Sequence, residues 1–513
     1  MSIGRSMADI VLCTQNARYI HASFGLRYLF ANLGDLQERA EICEFTISER
    51  PVNVAEAILA REPKIVGIGV YIWNAPQALE LVRILKGLRP DLIVVLGGPE
   101  VSHEVEGQEL TDAADFVVTG EGEISFAALC RKLLRGSRPL LKIIPGESPD
   151  VASLSLPYPF YSEEDIQNRV LYVEASRGCP YRCEFCLSAL DKTTRAFPLD
   201  AFLAQMERLL ELGARQFKFV DRTFNLNIQT SNAILEFFLE RHCEGLFLHF
   251  EMIPDRLPEE LRDLIARFPA GSLQFEIGIQ SLNPDVTERI SRRQNLKKLR
   301  ENFAFLDECT GVHTHADLIV GLPGETLESF GKGLDQALTL RPSEIQIGIL
   351  KRLRGAPVIR HTDLWKMVYN PAPPYEVLET SAIPFNQMQR LKRLARYWDL
   401  IANSGNFRES LPLLWQTGSP FEKFLEFSDW LYKTTGAVHK ISLERLVALF
   451  LDYLTTNQNQ DRKEAGGRLL RDYTRSGRKP PKCLYEFTTK TPRKTTSPAL
   501  SNLPKRQRRH LTA

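Results

Sequence analysis

The sequence predicts an α/β protein in three parts: a Rossmann-like (flavodoxin-like) domain, a partial (βα)6 TIM-type barrel, and a carboxyl-terminal helical domain with a basic tail. Three observations predict it. Five short apolar runs alternate with amphipathic stretches before about Gly136, six more follow between 170 and 350, and strand signals fade after about Asn370. Such alternation implies parallel sheets with any ligand over the carboxyl ends of the strands. With 513 residues and 43% apolar content, the chain can build two or three cores.

In the first series the strand candidates are DIVLCT (9–14), EICEFT (41–46), IVGIGVY (65–71), LIVVLGG (92–98) and FVVTG (116–120). Helical patterns lie between them; in 75–88, Leu79, Val82 and Leu85, or Leu81, Leu85 and Leu88, share a face. Five prolines between Pro139 and Pro159 then mark a linker. The second series reads VLYVEAS (170–176), QFKFVD (216–221), LFLHFEMI (246–253), LQFEIGIQ (273–280), THADLIVG (314–321) and EIQIGIL (344–350). Six βα units fall short of the eight of a closed barrel, so an open barrel is expected. Beyond it, 387–403 and 442–454 are predicted helices, with Trp398, Trp415 and Trp430 available for a core. The expected boundaries are 1–137, a linker 138–165, the barrel 166–370, a helical domain 371–460 and a partly disordered tail 461–513.

No run of about 18 apolar residues occurs, and the first ten residues lack the pattern of a signal peptide. A cytoplasmic protein with no membrane partner is expected. The net charge of +2 is uneven: 461–513 carries 15 Lys/Arg against 4 Asp/Glu. That segment is either a solvated tail or a contact for an anionic partner.

Of nine cysteines, six are scattered, which argues against a secreted disulfide framework. The other three, Cys179, Cys183 and Cys186, follow the first strand of the second series in Arg177-Gly-Cys-Pro-Tyr-Arg-Cys-Glu-Phe-Cys186. The spacing C-x3-C-x2-C on one short loop suits thiolates converging on an iron–sulfur cluster with one iron open. Zinc is the competing reading. It wants a fourth ligand, and no His lies in the loop.

The motif resembles the radical SAM superfamily, with these cysteines in its cluster-binding positions. The resemblance implies a [4Fe-4S] cluster whose open iron chelates S-adenosylmethionine (SAM), and reductive cleavage to a 5′-deoxyadenosyl radical. An external reductant such as flavodoxin or ferredoxin is then required. By the same resemblance Phe185 faces adenine, and Asp221 and Thr223, in FVDRTFN (219–225), contact SAM or substrate. Glu276, Gln280 and Ser281, in EIGIQS (276–281), meet the ribose and carboxylate of SAM, and VGLPGE (320–325) is the turn supporting adenine. Alternation puts Glu276, Gly278 and Gln280 on one strand face. A helix-capping role for Asp221 is the ordinary alternative. His249, Glu251 and Arg256 are placed near the third strand without a catalytic role. His313 and His315 are read as ordinary core or surface histidines.

The front domain, with Gly97-Gly98-Pro99 after its fourth strand and Gly120-Glu-Gly122 after its fifth, resembles the cobalamin-binding domain that precedes many radical SAM cores. Small residues there would let backbone approach a corrinoid. The sequence departs from the D-x-H-x-x-G pattern of such domains: the loop after the first strand reads NARYIHASFG (16–25), so His21 is not assigned to cobalt. Trp73 is placed to shield the lower face instead, with interdomain packing as its alternative.

The two resemblances together imply methylation at an unactivated carbon: one SAM supplies methyl through cobalamin, and another supplies the radical that removes hydrogen. The alternatives are a radical rearrangement or cyclisation, a protein that only binds cofactors, and an RNA-modifying enzyme. In the last, Arg471, Arg475, Arg478, Lys479, Lys482, Lys505, Arg506, Arg508 and Arg509 would contact phosphates, with Tyr473 and Tyr485 stacking. The substrate, small molecule or RNA, is not named by the sequence.

Overall fold

A computed structural model describes residues 8–488 and 505–511. The chain divides into two compact units. One runs to Arg222 and takes in Lys351–Pro357 and Asn370–Glu376; the other comprises Thr223–Leu350, Val358–Tyr369 and the chain from Val377.

The first unit is built on a parallel sheet of β1 (Ile10–Asn16), β2 (Ala40–Thr46), β3 (Ile65–Gly69), β4 (Ile93–Gly97), β5 (Phe116–Thr119) and β6 (Ile143–Pro145), in the order β2-β1-β3-β4-β5-β6. The first five occupy the predicted apolar runs; β6 lies within the stretch read as linker and extends the sheet by pairing with β5. The first five strands stand in the flavodoxin-like order, whose switch point is between β1 and β3. The inner strands β1, β3, β4 and β5 bury both faces, with helices α1 (Phe24–Ala31), α2 (Pro51–Leu59), α3 (Ala75–Leu88), α4 (Glu109–Ala113) and α5 (Glu123–Leu134) between the strands. Two apolar clusters result: Val82, Leu85 and Val94 lie in one, Leu26, Val95 and Phe126 in the other.

The same unit continues through α6 (Glu163–Asn168), whose N-cap Ser162 and Asp165 form a capping box, into β7 (Leu171–Val173), β8 (Ser176–Arg177), β9 (Arg195–Ala196), α7 (Leu199–Glu211) and β10 (Gln216–Phe219). Strands β7 and β10 pair in parallel. Arg27 anchors α6 to the front sheet, 2.6 Å from Asp165 and 2.8 Å from Glu44 of β2.

The second unit carries the other four strands of the series, β11 (Phe247–Met252), β12 (Leu273–Gln280), β13 (His313–Val320) and β14 (Glu344–Ile349), each parallel to the next. Helices α8 (Ile228–Glu240), α9 (Glu259–Ala266), α10 (Pro284–Arg289), α11 (Leu296–Cys309) and α12 (Leu327–Thr339) intervene. All six βα units of the expected barrel are therefore present. A helical group follows, α13 (Phe385–Ile401), α14 (Pro420–Thr435), α15 (Leu443–Thr456) and α16 (Arg462–Thr474), with Trp398 stacked on Trp415 at 6.1 Å.

The segment expected to be tail behaves differently. In α16, Leu469 and Ala465 are fully buried, because an i, i+4 apolar pair on this short helix meets the group. A further helix, α17 (Lys505–Leu511), docks on this unit through Arg506, which lies 2.6 Å from Glu344 and 2.8 Å from Asp399. The proline-containing stretch 489–504 lies outside the described residues. Among the described residues, no helix is long and apolar enough to cross a membrane.

Candidate functional site

The cysteine loop is closed at its base by the antiparallel pairing of β8 with β9. Gly178 opens it at φ +88°, and a Cβ there would lie 1.8 Å from the Thr193 carbonyl oxygen, so only glycine can begin this turn. Backbone bonds fix its course: Cys179 N donates to Asp191 O (3.3 Å), and Cys186 N to Cys183 O (3.0 Å). Cys179 and Cys183 are buried, while Cys186 and Phe185 are half-buried. Three thiols on one short, internally bonded loop are the donor set that an iron–sulfur cluster takes.

The base of the loop is clamped by charge. Arg177 donates to Glu174 at the end of β7 (2.9 Å), lies 2.8 Å from Glu123 at the start of α5, and covers the Tyr28 ring at 4.5 Å. Burial pushes Glu174 up to about 7, against the pull of Arg177. Burial also opposes the Arg177 charge, but Glu174 and Glu123 outweigh it and hold the guanidinium above its ordinary value. Asp221 supports the same base: Ala175 N and Ser176 Oγ donate to its two oxygens at 2.9 and 2.6 Å. Burial pushes its carboxyl up to about 6. The structure thus places Asp221 beneath the cysteine loop rather than on a helix cap. Thr223, two residues on, is buried.

Within the first unit a cavity of about 300 Å³ lies at the carboxyl ends of β3, β4 and β5. Gly97, Gly98, Gly120 and Gly122 line it, as the sequence predicts. Gly98 has φ +107° and would place a Cβ 2.4 Å from Val70 O, whereas a Cβ on Gly120 would meet only open space. Pro99 is exposed and absent from the lining; it starts the short turn Pro99–Val101. Trp73 also stands off the lining, 42% exposed, stacked on cavity-lining Tyr71 at 4.4 Å, with its Nε1–H donating to Gln15 O. His21 is engaged elsewhere, its Nδ1 2.7 Å from Tyr172 Oη. Sequence reasoning missed Gly25, Gly67, Gly69, Tyr28 and Arg177 as lining residues. The G-x-G alternation within IVGIGVY was the available signal for two of them. A crevice floored by glycine backbone, with Glu121, Glu123, Glu174 and Arg177 among its otherwise mostly apolar lining, fits part of a corrinoid, which needs close approach as well as polar contacts.

In the second unit, Glu276, Gly278 and Gln280 are the half-exposed positions alternating with buried ones along β12, as predicted. The strand ends irregularly: Gln280 has φ +69° and the register against β13 shifts between Gly278 and Gln280. A Cβ on Gly278 would lie 2.4 Å from Gln280 Nε2, so the glycine admits the folded-back amide. Arg292 donates to Gly278 O, and Gln294 Nε2 donates to the carbonyls of Ile279 and Ser281. His249 Nε2 lies 3.0 Å from Glu276 Oε2. Ser281 is buried and donates to Glu325 (2.6 Å), whose carboxyl burial pushes up to about 7. Glu276 and Gln280 therefore present polar groups together, while Ser281 braces the turn 320–325.

Comparison with known proteins agrees with this geometry. The B12 binding domain family model matches residues 10–130 and the Radical SAM superfamily model residues 173–337. A third, described as a protein of unknown function (DUF4080), matches 363–511. An uncharacterized methyltransferase of Pyrococcus horikoshii is 27% identical over 55% of this chain and 67% of its own length. The cobalamin-dependent radical SAM methyltransferase TokK of Streptomyces tokunonensis is 25% identical over 54% of this chain. The chain spans only 45% of TokK. A tRNA-2-methylthio-N(6)-dimethylallyladenosine synthase of Acinetobacter baumannii is 24% identical over 49% of this chain and 54% of its own. Among solved structures, the cobalamin-dependent SAM radical enzyme OxsB aligns with a TM-score of 0.62 at 15% identity, over 91% of this chain and 84% of its own. The methyltransferase TsrM of Kitasatospora setae aligns with a TM-score of 0.57 at 19% identity, over 74% and 81%. These likenesses bear on the fold.

Proposed function

From the premise that this chain joins a B12-binding domain to a radical SAM domain, with cobalamin, SAM and a [4Fe-4S] cluster as the cofactors of those domains, we propose that it is a cobalamin-dependent radical SAM methyltransferase acting on an unactivated carbon of a small molecule. The observation carrying this reading is that the glycine-floored cavity and the cysteine loop belong to one compact unit and share Arg177, which lines the cavity and begins the loop.

In this reading Cys179, Cys183 and Cys186 hold the cluster, and Phe185, Asp221, Thr223, Glu276, Gln280 and Ser281 serve SAM. Gly97, Gly98, Gly120 and Gly122 seat cobalamin, with Trp73 and Pro99 at its margin. When bound, the cofactors supply a hydrogen-abstracting radical and a transferable methyl group. The chain's residues do the positioning. Asp221 and Arg177 fix the base of the cysteine loop, Gly98 lets the backbone after β4 pack against Val70 at the cavity floor, and Arg292 and Gln294 hold the end of β12 so that Gln280 keeps one orientation. The proposed setting is the cytoplasm, with a flavodoxin or ferredoxin as electron donor.

RNA as substrate finds less support in the charge map. Arg471 lies 2.6 Å from Glu409, Arg475 pairs with Asp472, and Arg478 donates to Asn406. Arg506 pairs with Glu344 and Asp399, and Arg509 donates to Ser404 O. Cations already paired within the fold release few counterions on meeting phosphate. Reconstituted protein supplied with methyl-labelled SAM, reductant and a cell extract tests the assignment. Label in a small-molecule product supports it; label recovered only in RNA, or none beyond SAM, overturns it.

A further inference from the structure

The turn Gly321–Glu325 follows β13 at the carboxyl end of the barrel strands, where barrel chemistry takes place. Side chains from farther along the chain cover both of its glycines. Gly321 has φ +86°, and a Cβ there would lie 2.5 Å from Val377 Cγ1 and 3.2 Å from Met388 Cε. Gly324 has φ +74°, and a Cβ there would lie 2.6 Å from Trp365 Cη2 and 2.5 Å from Arg289 Nη1. Positive φ and such close neighbours call for glycine at both positions. Arg289, from α10, adds a bond: its Nη1 donates to Pro323 O at 2.7 Å, and its guanidinium lies over the Trp365 ring at 4.5 Å. Val377 and Met388 are buried.

We propose that the carboxyl-terminal region serves the radical SAM domain by holding this turn in the shape that receives SAM, with Trp365, Val377 and Met388 as its positioning residues. All three belong to the region that matches the family model of unknown function, residues 363–511, whereas Arg289 and the turn belong to the radical SAM match, residues 173–337. The inference rests on the reading above that the end of β12 serves SAM. Ser281 is one of the residues in that reading, and its hydroxyl joins the strand end to Glu325 of the turn.

A short turn with two glycines has little stiffness of its own. Left bare, it would have to be ordered by its ligand, at a cost to affinity; packed on both sides, it is ordered beforehand. The braces are themselves fixed. Trp365 N donates to His361 O (3.0 Å) and its carbonyl accepts from Ser381 N (2.7 Å), Val377 N donates to Leu350 O (2.8 Å) just after β14, and Met388 stands in the first turn of α13. Among the described residues, Trp365 Nε1 is buried and has no hydrogen-bond partner, so the ring keeps its place by packing on the turn and on Arg289. Loss of such a brace weakens binding of SAM before and during reaction alike, which raises KM and leaves kcat in place.

The test uses the full chain with its iron–sulfur cluster assembled. It reads SAM binding by anaerobic equilibrium dialysis beside 5′-deoxyadenosine release at several SAM concentrations. Trp365→Ala should weaken SAM binding about fivefold or more and raise KM by a like factor, with release at saturating SAM within about twofold of the parent. Trp365→Phe, which keeps an aromatic ring and breaks no hydrogen bond, should recover most of the affinity. Arg289→Met, which removes the bond to Pro323 O, should weaken SAM binding in the same direction and carries the test if Trp365→Ala does not fold. Leu469→Val, in α16 and making none of the contacts above, should bind SAM as the parent does. Parent affinity in Trp365→Ala or Arg289→Met, an equal loss in Leu469→Val, or a fall in saturating release at unchanged KM overturns the positioning role. A parent chain that retains its cluster and binds no SAM overturns instead the reading of the β12 end on which the inference rests.

Discussion

In the first unit, space for a ligand opens at the carboxyl ends of β3, β4 and β5, and backbone shapes its floor: Gly67, Gly69, Gly97, Gly98 and Gly120 line it beside Tyr28, Tyr71 and Phe126. In the second unit, titratable side chains converge at the amino ends of β13 and β14, where His313, His315, Glu344 and Arg506 meet. A large, flat cofactor needs side chains withdrawn, so its cradle is written as glycine. A buried carboxylate needs partners brought to it, so its cluster is written as residues far apart in the chain. The Arg177 cluster combines both features, for it borders the glycine cavity and holds buried charge.

That cluster offers the sharpest way to break the first half of this comparison. Arg177→Met leaves Glu174 and Glu123 without their cation, at side-chain exposures of 9% and 8%. Removing one partner of a buried pair costs about 3–5 kcal/mol, so thermal unfolding should show a large drop in Tm, with reduced cobalamin retention. An unchanged Tm would mean that the clamp is not structural.

Next in size is a pH effect in the second unit. Burial raises Glu325 from an unfolded value of 4.5 to about 7, so the native state holds a proton that the unfolded state releases. Its contribution is fully present below about pH 4.5 and is lost as pH rises through about 7, a span of at most roughly 3 kcal/mol. Denaturant unfolding at several pH values should show stability falling over that window. Glu325→Gln, which keeps an acceptor for Ser281, should flatten the fall.

Gly98→Ala tests the cradle itself. The positive φ and the 2.4 Å approach to Val70 O should cost about 1–3 kcal/mol and weaken cobalamin binding measured by absorbance titration. The smallest stability effect is expected for Trp73→Ala: about 1 kcal/mol or less at a half-exposed ring, read beside the visible spectrum of bound cobalamin. A changed spectrum would support lower-face shielding; an unchanged one would leave the ring to its stacking on Tyr71.

The fold was legible because period and length carry it. Apolar runs of the right length marked ten of the strands described above almost to the residue, and α3 was read at its observed bounds of Ala75–Leu88. The short β6 was hidden by flanking prolines, since a three-residue edge strand has too little periodicity to register. Helix α16 was hidden by charge: three arginines and a lysine mask the buried face around Leu469. In the site, cysteine spacing and glycine turns could be read because local geometry fixes them. The clamp on Arg177, the placement of Asp221 beneath the loop and the gathering of His510 with His313 depend on chain crossings that no local pattern encodes.

In the proposed function, one chain brings SAM-derived methyl and SAM-derived radical chemistry to the same substrate. The most direct measurement incubates the anaerobically reconstituted full chain, with cluster and cobalamin, with methyl-labelled SAM and a reductant. Label is expected in the protein-bound corrinoid fraction together with released 5′-deoxyadenosine, the latter abolished in Cys183→Ala while cobalamin is retained. Release of 5′-deoxyadenosine with no label in the corrinoid, or failure to retain cobalamin at all, would contradict it.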